Sequence, residues 1–155
     1  MSLLKPTTPV PEEVAHLVGE YINRGVHREV YAYAPDPEQW IIKIPRDEVG
    51  LKHNEREYKN YLNIKDKGLD EWVAPCRLEL DKYIVMRRTQ PVEESQPRGI
   101  LIPAFLIVDS GVHNWGVLDG RYVCHDYAHV GTVPSAPSVL KMSNSKPWKV
   151  SRKRP

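Results

Sequence analysis

Five polar residues in the middle of the chain combine side-chain types that can hold an anion and a divalent cation. They are Lys43, Glu57, Asp109, Asn114 and Asp126. Lys43 ends a short apolar run, Glu57 lies in a charged stretch that favours a helix, and Asp126 follows an alternating apolar run. Asp109 and Asn114 are five positions apart. Carboxylate and carboxamide oxygens are the ligands that a hard cation such as magnesium prefers.

The order of these residues resembles that of the protein-kinase fold. Kinases place a strand lysine, a helix glutamate, an Asp-x-x-x-x-Asn loop and a second aspartate in that sequence. The resemblance covers residues 17–130, and in overall pattern the chain is similar to compact kinase-like proteins carried by bacteriophages. It implies that the ligands are ATP and magnesium and that the reaction is phosphoryl transfer.

The resemblance implies a role for each of the five residues. Lys43 is expected to hold the α- and β-phosphates, and Glu57 to pair with Lys43 and hold it in place. Asp109 is the expected catalytic residue that accepts or orients the proton of the acceptor hydroxyl. Asn114 and Asp126 are the expected magnesium ligands.

Two glutamates of the predicted helix compete as the partner of the lysine. Glu57 is preferred to Glu55, because Tyr58 and Leu62 give Glu57 apolar neighbours that would dock the helix. Glu55 stays the alternative.

The segment before the first predicted strand partly resembles the kinase glycine-rich loop. Of the pattern G-x-G-x-x-G-x-V, which covers the phosphates, the chain retains only Gly25 and Val30. Asn23 tolerates a positive φ and is expected to substitute for the first glycine. Arg28 replaces the third glycine and is expected to contact phosphate directly. Met86 is the expected hinge residue of the nucleotide site.

Several departures from the kinase pattern leave two functions open. The His-Arg before the catalytic aspartate is Ile107-Val108 here, and the chain after Asp126 lacks Ala-Pro-Glu and is short for a full carboxy-terminal lobe. The first function is an ATP- and magnesium-dependent phosphotransferase that acts on a protein or a small hydroxyl acceptor. The second is a catalytically inactive kinase-like module that binds and modulates a partner protein.

The pattern of apolar residues predicts the scaffold. We expect an α+β, kinase-like fold: an antiparallel amino-terminal-lobe sheet with one packed helix, followed by a truncated carboxy-terminal lobe. The packed helix is predicted at 51–66 with Gly68 ending it, and an earlier helix from Pro11 to Gly25, where apolar residues recur at helical spacing. The predicted strands are 29–33, 39–44, 76–80 and 83–86.

The region around the catalytic candidates has a mixed pattern. Residues 100–108 are apolar and predict a helix or a strand. The dipeptide Asp119-Gly120 between apolar runs predicts a hairpin of 115–118 and 121–124. Kinases place a hairpin at this point too, between the asparagine and the second aspartate.

Length and composition fit one globular domain. The chain has 155 residues, 41% of them hydrophobic and 27% charged. No apolar run approaches the roughly 20 residues that span a bilayer. Two cysteines do not make a disulfide framework, so we expect a reduced, cytoplasmic protein, in the host cytoplasm if it is viral.

The chain divides into three predicted segments: an extended N-terminus at 1–10, the kinase-like domain at 11–135 and a basic flexible tail at 136–155. Residues 141–155 carry six basic residues and no acidic one. Six charges allow few phosphate contacts, so we expect a protein partner or substrate rather than nucleic acid.

Two other kinds of site are weaker alternatives. His125 and His129 are four residues apart beside Cys124, a spacing that serves zinc on a helix, but this segment has the pattern of a strand end and a loop. A nucleophilic pair of Cys76 or Cys124 with a histidine has no local signature.

Overall fold

The computed structural model describes residues 5–92, 100–109 and 111–144, with only the backbone of 108 and 109. The chain forms two compact units. The first consists of the chain up to Lys59 together with Pro75–Arg88, and the second of Asn60–Ala74 and the chain from Thr89 onward. The predicted α+β class is confirmed, because an antiparallel sheet is combined with one long helix.

The sheet of the first unit has five antiparallel strands in the order β1-β2-β3-β5-β4. The strands are β1 (Val18–Arg24), β2 (Arg28–Tyr33), β3 (Trp40–Pro45), β4 (Cys76–Glu79) and β5 (Tyr83–Arg87). Four of them lie within one or two residues of the strands predicted from the sequence.

The helix predicted from Pro11 to Gly25 is wrong over most of its length. A short 3-10 helix covers Glu12–Leu17, and the chain then continues as β1, which pairs with β2. β-Branched and aromatic residues favour a strand here. Gly19 also permits the close pairing, since an added Cβ would lie 3.0 Å from the carbonyl oxygen of Ala32.

The two faces of this sheet carry different side chains. One face holds the apolar core, which joins the strands to the 3-10 helix through Val14, Leu17, Tyr31, Ile42, Ile44, Tyr83 and Val85. Because successive side chains of a strand point to opposite faces, Lys43 points away from this core. Lys43 is paired across the ladders with Val30 and Ile84, which share its face.

Helix α1 (Glu48–Asp66) has well-defined ends. The Asp47 side chain caps its start by accepting the backbone N–H of Gly50 at 2.8 Å. At its end, Gly68 has a φ of 74°, and the N–H of Leu69 donates to the carbonyl of Ile64 at 3.0 Å. This is a Schellman motif, so the predicted helix end at Gly68 is confirmed.

The second unit contains short paired strands and 3-10 helices. β6 (Leu101–Pro103) pairs with β9 (Met142–Asn144), and a 3-10 helix covers Ala104–Asp109, so the apolar stretch 100–108 forms both a strand and a helix. The predicted hairpin is confirmed as β7 (Trp115–Leu118) and β8 (Arg121–Cys124).

Part of the segment predicted as a flexible tail takes part in this structure. β9 lies inside 136–155, as does a 3-10 helix at Pro137–Val139. Residues 145–155, which hold five of the six basic residues, lie outside the described residues. Among the described residues, no helix is long and apolar enough to cross a membrane.

Candidate functional site

A buried ion pair joins β3 to helix α1 in the first unit. Lys43 Nζ lies 2.7 Å from Glu57 Oε1, and the two side chains are 5% and 0% exposed. Glu57 is therefore the partner of Lys43, and the exposed Glu55 points away from the sheet. The expected contact is present, and the catalytic roles of both residues stay predictions.

Arg28 reaches the same carboxylate from β2. Its Nη1 donates to Glu57 Oε1 at 2.9 Å and to Asn54 Oδ1 at 3.0 Å. From the sequence, this guanidinium was expected to contact phosphate. The structure instead buries it against α1, because the helix presents a carboxylate and a carboxamide one turn apart.

Asn54 completes the polar link between the helix and the sheet. Its Nδ2 donates to the backbone carbonyls of Lys43 at 3.0 Å and Lys82 at 2.8 Å. The residue has no exposed surface. Asn54 therefore attaches the helix to the sheet at two backbone positions, a role that was not predicted from the sequence.

The electrostatics of this cluster favour the ionised carboxylate. Burial alone would raise the pKa of Glu57, but the positive charges of Arg28 and Lys43 and their hydrogen bonds outweigh burial and lower the pKa to about 2. Glu57 is therefore an anion at neutral pH, held between two cations.

The β1–β2 loop differs from the glycine-rich loop that was predicted. Asn23 lies in β1, paired with Val30 in extended backbone, so it does not supply the positive φ of a missing glycine. Gly25 closes the turn by donating its N–H to the carbonyl of Arg28 at 2.8 Å. Val26 at the tip is 77% exposed.

Side chains near the start of α1 hold this loop. Arg46 Nη1 donates to the carbonyls of Gly25 at 3.0 Å and Val26 at 2.9 Å. His27 Nδ1 lies 2.9 Å from Asp47 Oδ2, and this hydrogen bond lowers the pKa of the Asp47 carboxyl. The loop is thus attached to the helix start by backbone and side-chain contacts.

Met86 does not present the surface that a hinge contact needs. β5 is an interior strand, so Met86 is paired with Ile41 on one side and Cys76 on the other. Its side chain has no exposed surface. The predicted contact between Met86 and a nucleotide therefore has no support in this structure.

The predicted metal ligands of the second unit lie at one end of the β7–β8 hairpin. The terminal pair of that ladder is Trp115 with Cys124, and the N–H of His125 donates to the carbonyl of Asn114 at 2.9 Å. Asn114 and Asp126 are thereby brought to neighbouring positions, although they are twelve positions apart in sequence. Asn114 is buried and Asp126 exposed.

His125 connects the two sides of this hairpin end. Its Nδ1 lies 2.7 Å from Thr89 Oγ1, and its Nε2 lies 2.7 Å from the carbonyl oxygen of His113. Since a carbonyl only accepts, Nε2 carries a proton and donates. From its spacing in the sequence, His125 was expected only as a weaker alternative, a zinc ligand with His129. Its contacts with Thr89 and His113 give it a structural role beside Asn114 and Asp126.

The residues near the hairpin end fit magnesium better than zinc. An asparagine and an aspartate supply oxygen, and magnesium takes few protein ligands when phosphate and water supply the others. Within the part of the chain that the structure describes, no three histidine, cysteine, aspartate or glutamate side chains cluster as a metal site. Asp109 ends a 3-10 helix, and its side chain lies outside the described residues.

No family model and no curated protein matches the chain. Among the solved structures that are similar to part of it are two phosphotransferase structures. The ternary complex of streptomycin, ATP and APH(2")-IIa shares 16% identity at a TM-score of 0.45, over 58% of this chain and 32% of the other. The ADP-bound aminoglycoside phosphotransferase APH(2'')-Ib shares 15% at a TM-score of 0.42, over 51% of this chain and 26% of the other. The chain thus spans about a third of the first of these chains and about a quarter of the second.

Proposed function

We propose that this protein is an ATP- and magnesium-dependent phosphotransferase of the protein-kinase-like kind, acting on a protein or a small hydroxyl acceptor. The observation that carries the proposal is the buried pair of Lys43 and Glu57, which joins a central strand to the only long helix among the described residues. A strand lysine held by a helix carboxylate is the arrangement that positions nucleotide phosphates in this chemistry.

The energetics of the pair support a functional role over a structural one. Removing two charges from water costs free energy, and apolar side chains of similar volume often stabilise a fold as well or better. The cluster of Lys43, Glu57, Arg28 and Asn54 is nonetheless buried on the sheet face opposite the apolar core. An ammonium group fixed in advance needs no reorganisation when it meets phosphate charge.

Metal-binding and catalytic roles are also proposed for three residues of the second unit. Asn114 and Asp126 would hold magnesium, which when bound would neutralise charge on the phosphates. Asp109 would accept or orient the proton of the acceptor hydroxyl. Phosphoryl transfer needs little beyond this positioning and charge neutralisation.

A kinase-like module that binds a partner protein without turnover is the second candidate. The observation that favours it is the β1–β2 loop, in which Asn23 is extended and Arg28 is turned to the helix. A loop with these contacts lacks the backbone pattern that cradles phosphate in kinases. Such a module would bind its partner through the protein surface and would not transfer phosphate to it.

Transfer of label from γ-³²P-ATP separates the two candidates. The wild-type protein is incubated with magnesium, labelled ATP and a mixed lysate, beside Asp109→Asn and the exposed-site control Asp119→Asn. A phosphotransferase labels an acceptor with the wild type and the control, and loses label with Asp109→Asn while nucleotide binding is retained. Nucleotide binding without any label supports the module, and label that persists in Asp109→Asn removes Asp109 from catalysis.

A further inference from the structure

The position of Arg28 raises a question about the nucleotide site. It replaces a glycine of the loop pattern, where a contact to phosphate would be direct. Its guanidinium instead shares Oε1 of Glu57 with Lys43, at 2.9 Å and 2.7 Å. Because Arg28 and Lys43 bond the same carboxylate oxygen, the position of the Glu57 side chain depends on both cations.

The guanidinium of Arg28 bonds two residues of helix α1. The same Nη1 also bonds Asn54, one turn before Glu57 on the buried face of α1. Asn54 in turn donates to the backbone carbonyl of Lys43. These hydrogen bonds form a closed network that connects β2, α1 and β3. A planar guanidinium is suited to bridge two acceptors in such a network.

We propose that Arg28 is a positioning residue, which holds Glu57, and through Glu57 the ammonium of Lys43, in the orientation that receives nucleotide phosphate. The inference rests on the proposed function, since Lys43 must bind phosphate for the orientation to matter. It differs from a direct contact between Arg28 and phosphate, because the effect of Arg28 must then pass through the Glu57 carboxylate.

A double-mutant cycle separates a positioning role from a direct contact. Affinity for Mg-ATP is measured for the wild type, Arg28→Met, Glu57→Gln and the double variant, with the exposed Arg24→Met as the matched control. We expect Arg28→Met to weaken binding about tenfold, within the range of coupling between contacting residues. In the Glu57→Gln background, Arg28→Met should weaken binding no further, and Arg24→Met should have no effect in either. Equal losses in both backgrounds would overturn the inference in favour of direct contact.

A measurement on the wild type covers the case in which Glu57→Gln fails to fold. Side-chain ¹⁵N resonances of Arg28 and Lys43 are followed by NMR during titration with Mg-ATP. If Arg28 is a positioning residue, the chemical shift of the Lys43 ammonium should change strongly. The guanidinium protons of Arg28 should still exchange slowly with solvent, because their bonds to Glu57 are kept. A large Arg28 shift with loss of that protection would overturn the inference. Absence of any Mg-ATP binding by the wild type would instead overturn the proposed function, so the two failures are distinguishable.

Discussion

The ammonium nitrogen of Lys43 and the Oε1 oxygen of Glu57 lie 2.7 Å apart, with both side chains withdrawn from solvent. The contact joins the middle of β3 to the middle of helix α1, 14 residues later in the chain. Arg28 and Asn54 bind around it, so the helix is attached to the sheet by polar groups at this level. Removing a member of this cluster should therefore change both stability and ligand binding.

Stability should depend on pH through Glu57. Its pKa in the folded protein is about 2, below the ordinary value of 4.5. The stabilisation from its ionised form is therefore complete above about pH 4.5 and is lost as pH falls toward about 2. Urea denaturation between pH 6 and pH 2 should show Glu57→Gln less stable by about 3–5 kcal/mol at pH 6, with the gap closing in acid.

The matched control is Glu55→Gln, a change of the same chemistry at an exposed position of the same helix. Its free energy of unfolding should stay within about 0.5 kcal/mol of the wild type across this pH range. If the free energies of unfolding of Glu57→Gln and the wild type changed in parallel with pH, the Glu57 carboxylate would not be the source of the pH dependence.

Gly116→Ala should destabilise the hairpin of the second unit. A Cβ at Gly116 would overlap with the Thr89 side chain at Oγ1 and would lie 2.9 Å from the carbonyl oxygen of Gln90. Relief requires backbone movement, and overpacking of this kind costs about 1–3 kcal/mol. Thermal unfolding should show a lower midpoint, whereas Gly131→Ala, whose added Cβ would meet ordinary contacts at 3.5 Å, should be nearly neutral. Equal midpoints for the two variants would contradict the close approach of Thr89.

Magnesium dependence should be sensitive to one end of the β7–β8 hairpin and insensitive to the other. Asp126→Asn removes a charged oxygen ligand and should raise the magnesium concentration needed for nucleotide binding by at least about tenfold. Asp119→Asn changes the turn at the far end, where the φ of 51° suits asparagine, and should leave that concentration unchanged. Titration of magnesium at fixed ATP measures both, and matching curves would remove Asp126 from the metal site.

Glu57 and not Glu55 pairs with Lys43, but not for the reason expected from the sequence. Tyr58 and Leu62 were expected to dock the helix, yet Leu62 is 47% exposed. The buried face of α1 instead carries Gly50, Asn54, Glu57, Tyr61 and Ile64. These positions recur at three and four residues, so the sequence contained the signal. The signal is recognised only if polar residues such as Asn54 and Glu57 are counted as part of the buried face.

Contacts between distant segments explain the other differences from the sequence predictions. The spacing of apolar residues in 14–22 fits a helix, but pairing with β2 turns Val18–Arg24 into a strand. The guanidinium of Arg28 was expected to meet a ligand, and it meets Glu57, which lies 29 residues later. Local pattern predicted the β7–β8 hairpin and the helix end at Gly68, because turn chemistry decides those within a few residues. It could not predict which partner a long side chain reaches.

The most direct test is a thermal-shift titration of the wild type and Lys43→Met with Mg-ATP, with the exposed Lys52→Met as control. Ligand at 100 times its dissociation constant stabilises a native protein by about 2.7 kcal/mol. For a chain of this length that corresponds to a rise of about 5–10 °C in the melting temperature. We predict this rise for the wild type and Lys52→Met and its loss in Lys43→Met, which should still fold because Glu57 keeps its bond to Arg28. No rise with the wild type, or an equal rise in Lys43→Met, would contradict a nucleotide site built on the Lys43–Glu57 pair.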